Sequence, residues 1–180
     1  MPKFLTPFVT ALLIGVAAAS AAHDTHVETS PVASESLTLS GSVQTPVVLS
    51  LADLEGFPPQ QVGEVEIICQ SGANRGNKEN LRGVLLKDVL ERAGLAAASP
   101  REFRRMAVIA KATDDYQVVF SWAEIFNSSA GDGIIVYFRK NGLPLGNEEG
   151  RIALISTRDT LTGPRNVKWL SEIEVRLVAK

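Results

Sequence analysis

A chain of 180 residues, 45% hydrophobic and 21% charged, has the length and composition of one folded domain and is too short for two ordinary ones. Its formal net charge of −2 offers no basic face, so nucleic acid is not expected as a partner. The single cysteine, Cys69, excludes an intrachain disulfide and any multi-cysteine zinc or iron–sulfur site. Both histidines, His23 and His26, lie near the start, which leaves no Ser–His–Asp or Cys–His machinery for the interior of the domain.

Residues 1–22 have the pattern of an export signal. Lys3 gives a positive start, Phe8 to Ala19 a short apolar core, and Ala19 to Ala22 the small residues that a signal peptidase needs. The core is shorter than the roughly 18 apolar residues of a membrane span, so removal of the segment and no membrane insertion afterwards are expected. Residues 23–35, polar and rich in Ser and Thr, are expected to form a flexible leader before a domain over 36–180.

From Leu37 onward the periodicity is mixed. Ser36 to Gly41 alternates as a strand, Pro46 to Leu49 is extended, and Ser50 is placed to cap a short helix over Leu51 to Leu54. Glu64 to Cys69 reads as a further strand. Leu85, Leu86, Val89, Leu90 and Ala93 share one helical face, closed by Gly94. Met106 to Ala110 and Gln117 to Phe120 are two strands joined by a turn at Asp114 and Asp115, and Ser121-Trp122-Ala123-Glu124 has capping-box spacing. Ile134 to Arg139 and Ile152 to Ser156 are buried-type strands separated by an Asn141-Gly142 turn, and Ile173, Val175 and Leu177 mark a half-buried terminal strand. The expected fold class is α+β, a mixed β-sheet domain with short helices.

Two segments carry more chemistry than a scaffold needs. In Cys69 to Gly76, two glycines and Asn74 let the chain turn tightly, with N–H groups and Arg75 available to an anion or polar ring; Cys69 itself reads equally as a small core residue. Ser156 to Leu170 holds Arg158, Arg165 and Lys168 with Asp159, four hydroxyl residues and a Gly163-Pro164 turn. Arginine forks and a lysine there suit a phosphate or a pteridine carbonyl, and would equally serve as a solvated loop.

Cys69 after a strand, followed by Leu81 to Gly94, resembles the molybdopterin-binding domain of the sulfite oxidase family, as does Arg165-Asn166-Val167-Lys168-Trp169-Leu170 before the terminal strand. Leu37 to Leu54, Tyr116 to Trp122 and Asn141 to Leu145 are similar to intermediate segments of that family, so the resemblance runs through nearly all of 36–180 in order. The resemblance implies that Cys69 would ligate molybdenum in an enzyme and that Arg165 and Lys168 would contact the cofactor. It also extends to small periplasmic members that bind a pterin without the metal, some of which are ligand-dependent partners of inner-membrane proteins controlling cyclic di-GMP. On that reading Tyr116, Trp122 or Trp169 would stack on the pterin, arginines would take its carbonyl, and Asp159 would take its aminopyrimidine edge. Residues 1–22 contain no arginine, so a Sec-type route delivering an unfolded, empty chain to the periplasm is expected rather than twin-arginine export of a loaded one. That favours a binding module over the alternative, a small molybdenum-cofactor oxidoreductase using Cys69.

Overall fold

The computed structural model describes Met1 and residues 31–178. The expected signal segment beyond Met1, His23, His26 and the leader up to residue 30 lie outside the described residues. No helix among the described residues is long and apolar enough to cross a membrane.

Among the described residues, ten strands form two sheets, accompanied by four short α-helices. The first sheet has the order β2-β1-β10-β5-β6, from Val47–Ser50, Ser36–Gly41, Leu170–Leu177, Met106–Ala112 and Gln117–Ser121. β1 and β10 run parallel, and the other neighbours antiparallel. In the second sheet β3 (Gln60–Ile68) pairs with β4 (Asn74–Leu85) and β4 with β7 (Ile134–Lys140). β8 (Leu143–Pro144) and β9 (Ala153–Ser156) both pair with β7. With α1 (Leu51–Glu55), α2 (Leu86–Ala93), α3 (Pro100–Phe103) and α4 (Trp122–Phe126), this is the expected α+β class.

The core explains why the periodic segments fold as they do. Alternate residues of the first sheet, among them Leu37, Leu39, Val108, Phe120, Ile173 and Val175, pack with Val84, Val136, Phe138 and Leu154 of the second and with the apolar face of α2. β7 is buried on both faces: Ile134, Val136 and Phe138 join that cluster, while Ile135 and Tyr137 join a smaller one with Val65, Leu81, Leu85 and Ile155. That is why its sequence reads as a continuous apolar run.

The predicted punctuation is present. Ser50 and Ser121 open α1 and α4 through complete capping boxes with Asp53 and Glu124. Gly94 ends α2 at φ +66°, and Asn141-Gly142 turns β7 into β8 with both residues at positive φ. Asp115, at φ +67°, turns β5 into β6.

β4 corrects the expectation for residues 74–85. The sequence reading has the chain turn tightly through Gly76 and assigns no element to 77–84, yet the structure has a twelve-residue strand. Its polar stretch Asn-Arg-Gly-Asn-Lys-Glu-Asn shows no alternation, and the backbone ladder to β3 fixes it instead. β3 begins earlier than expected, at Gln60, and ends at Ile68, so Cys69 lies just beyond it.

Candidate functional site

The segment after β9 is laid across the end of β3. The Ile68 amide donates to Thr162 Oγ1 at 3.0 Å, and the Thr162 hydroxyl donates to the Glu66 carbonyl. At Gly163 an added Cβ would stand 2.8 Å from the Ile68 carbonyl oxygen, so only glycine allows this approach. Cys69 thus sits beside the Gly163-Pro164 turn, half-buried, with the Arg75 Nε–H donating to its sulfur at 3.3 Å. Tyr116 holds the same turn from the other sheet, its hydroxyl donating to the Pro164 carbonyl at 2.7 Å. A groove of about 390 Å³ runs alongside, with Glu64, Glu66 and Ile68 on one wall and Thr157, Asp159, Thr160 and Thr162 on the other.

The structure therefore brings Cys69, Arg75 and Tyr116 to one place, the junction of the β3–β4 hairpin with residues 157–166. Three of the backbone N–H groups of 69–76 are already engaged within the hairpin tip. The Cys69 amide donates to Ala73 O, that of Gly72 to Cys69 O, and that of Gly76 to Asn74 Oδ1. The hairpin tip uses these donors for its own turn.

Arg165 and Asp159, expected to grip opposite edges of a ligand, grip each other. Arg165 donates from Nε to Asp159 Oδ2 at 2.6 Å and from Nη2 to Oδ1 at 2.5 Å, a bidentate pair. Its Nη1 donates to Glu124 Oε1 at 2.9 Å, and its guanidinium carbon stands 4.5 Å from the centre of the buried Phe120 ring. Asp159 also accepts from the Ser156 hydroxyl at 2.7 Å. The Asp159 bonds first, then those of Glu124, raise the Arg165 pKa above its usual value. For Glu124, burial acts to raise the pKa, but hydrogen bonds from the Ser121 amide and Arg165 outweigh it and the net direction is down. The capping carboxylate of α4 is therefore also the second anchor of Arg165, which ties the loop to the first sheet.

Arg158 points elsewhere, its Nη1 donating to the Ser129 carbonyl and lying 3.8 Å from the Asp132 carboxylate. Trp122 is placed away from Cys69. Its ring stacks on Phe103 and Phe126, at centroid distances of 5.6 and 5.7 Å, and packs on the main core rather than in the groove. Trp169 is held at φ +49°, its indole N–H donating to the Asn147 carbonyl at 2.7 Å. The Lys168 ammonium lies 5.6 Å from the Trp169 ring centre. Among the described residues neither Lys168 nor Arg75 makes an ion pair.

One cluster escaped the sequence reading. Lys78 of β4 is 7% exposed and Glu149 only 4%. Both Lys78 Nζ and the hydroxyl of the fully buried Tyr137 donate to Glu149 Oε2, the latter at 2.7 Å, while Lys140 donates to Oε1 at 2.7 Å. Asn166 Oδ1 lies 3.2 Å from the same tyrosine hydroxyl, which joins this network to residues 165–168. Burial lowers the Lys78 pKa, and the Glu149 carboxylate only partly restores it. Burial would raise that of Glu149, yet the bonds from Lys140, Lys78 and Tyr137 hold it at about 2. The available signal was Tyr137 itself, a lone hydroxyl in a strand buried on both faces, which needs a polar partner.

Comparison with known proteins adds to this geometry. No curated protein matches the chain. Among solved structures, the sulfane dehydrogenase SoxCD from Paracoccus pantotrophus superposes with a TM-score of 0.57 at 21% identity. The match covers 78% of this chain and 37% of that one, so the likeness is one of fold and spans little more than a third of the larger protein. Residues 25–179 match the model of a family described as the oxidoreductase molybdopterin binding domain. With that match spanning most of the chain, and the two-sheet fold shared with SoxCD, this protein belongs to the oxidoreductase molybdopterin-binding domain family.

Proposed function

We propose that the domain is a non-catalytic pterin-binding module, acting in the periplasm as a ligand-dependent partner of an inner-membrane signalling protein of the cyclic di-GMP type. The observation that carries this reading is how charge is paired off around Cys69. Arg158, Asp159 and Arg165 are paired within the chain, Arg75 donates to the Cys69 sulfur, and the groove that continues from Ile68 bears Glu64 and Glu66 on its β3 wall. Carboxylates and threonine hydroxyls accept from the N–H-rich edge of an aminopyrimidine, whereas they disfavour the anionic substrate that an oxyanion pocket serves. The arginine-free apolar segment at the start of the sequence supports delivery of an empty chain through a Sec-type route.

The residues also fit the family's pterin-bound metal at one point. The Cys69 sulfur, a soft donor next to the groove residue Ile68, would be its ligand, with the Arg75 Nε–H donating to that sulfur. A molybdenum centre held there would supply redox chemistry. This second reading makes the protein an oxidoreductase and gives the deciding test.

Protein purified from the periplasm should release a fluorescent pterin and carry no molybdenum when both are measured on one sample. Added reduced pterin should quench its tryptophan fluorescence in Trp122→Phe as in the wild type, since Trp122 packs on Phe103 and Phe126. Molybdenum near one atom per chain, lost in Cys69→Ser, would establish the enzyme instead. Absence of both pterin and metal would remove the binding reading.

A further inference from the structure

β6 is an edge of the first sheet, paired with β5 on one side only. The Ala112 amide donates to the Tyr116 carbonyl at 2.9 Å, and this bond sets the phase of the hairpin. Val118 and Phe120 turn their backbone groups to β5. Gln117 and Val119 turn theirs outward, where no backbone partner meets them among the described residues. The Val119 side chain is 58% exposed, so the edge is open to an incoming strand. Nothing on the strand guards it, since Gln117 to Ser121 contains no proline and no charge. The opposite edge, β2, is four residues long and is entered through Pro46, two features that discourage pairing.

The charges at the two ends of this edge are complementary. At the Ser121 end lies a groove of about 350 Å³, lined by Met106, Ala107, Val119 and Val178 together with Arg104 and Arg105. At the other end the turn into β6 carries Asp114 and Asp115, both exposed. None of these four charged residues makes an ion pair among the described residues. A twofold axis through Val119 would lay two copies of β6 antiparallel, with Gln117 of each opposite Ser121 of the other. The two Val119 residues would then exchange both of their outward backbone bonds. The same operation brings the Asp114-Asp115 turn of each copy to the Arg104-Arg105 groove of the other. An arginine pair thus meets an aspartate pair at both ends of the contact.

We propose that β6 is the interface of a twofold dimer of this chain, in which the first sheets of two copies join edge to edge. The proposal stands apart from the groove beside Cys69 and does not depend on whether that groove takes a pterin.

Sedimentation velocity on the purified protein over a roughly hundredfold range of concentration should show a monomer–dimer equilibrium. Val119→Lys sets two ammonium groups against each other on the axis and should raise the dissociation constant about tenfold or more. Val119→Pro removes an N–H that faces the open edge, leaves the ladder to β5 whole, and should weaken the dimer likewise. The lysine variant, at an exposed side chain, serves if the proline variant does not fold. Arg105→Glu and Asp115→Lys should each weaken the dimer about tenfold, and the two combined should restore it. Within one chain these residues stand at opposite ends of the seven-residue β5, roughly 20 Å apart, so the swapped charges can meet only across copies. A single monomeric species at every concentration overturns the proposal. So does a dimer as tight in Val119→Lys as in the wild type, or a charge-swapped double variant no tighter than either single one.

Discussion

Replacing Glu149 by alanine should lower the unfolding free energy by about 3–5 kcal/mol, read as a fall in the urea midpoint at unchanged slope. The cost comes from what is left behind. Lys78, 7% exposed, would lose its counter-ion in a site with almost no water, and the Tyr137 hydroxyl would lose its main acceptor. Truncating Lys140 should cost much less, since its side chain is 36% exposed and its charge is already partly hydrated. The same carboxylate sets an acid limit. Its folded pKa of about 2 lies below the 4.5 of an ordinary glutamate. The folded state thus favours the ionised form, and the stabilisation is complete above about pH 4.5 and is lost as pH falls towards 2. In Glu149→Gln the acid-dependent part of the stability curve over that window should flatten. A curve that keeps its full slope would place the acid sensitivity elsewhere.

Asp159→Ala should cost about 2–3 kcal/mol, because it removes two charge-assisted bonds from an arginine whose side chain is only 23% exposed. Arg165→Ala should cost a similar amount, and the double variant less than the sum, with a coupling of about 1–2 kcal/mol from thermal or urea unfolding. This cycle separates scaffold from binding. If Arg165 serves to tie residues 159–165 to α4, the folded Arg165→Ala protein keeps its pterin. A fully folded variant that has lost its pterin would return Arg165 to the ligand.

How much of this was legible in the sequence follows from what holds each part together. β1, α2, α4 and β10 were readable because each buries one face, and burial writes a period of 2 or 3.6 into the chain. The two capping boxes were readable because their partners stand three residues apart. β4 was not, since its polar half is held by backbone hydrogen bonds to β3, which leave no mark on side-chain pattern. At the site, Arg165 and Asp159 were visible as charges, but their choice of each other depends on a loop geometry set by Gly163 against Ile68. The Lys78–Glu149 pair joins residues 71 positions apart, and nothing local announces either as buried. The loose end of the carry-over from family resemblance is Trp122, where position was matched and surroundings were not.

The place of β10 bears on the life of the chain before it folds. The last of the described strands in chain order is the middle strand of the first sheet, hydrogen-bonded to β1 on one side and β5 on the other. Until it arrives, β1–β2 and β5–β6 are two separate hairpins with no ladder between them, and isolated two-stranded ribbons are marginal in water. Pairings this distant in sequence also close slowly, on the millisecond-to-second scale. The first sheet is therefore assembled around β10 as its keystone, and a change that unpairs β10 removes the ladder on both of its sides at once.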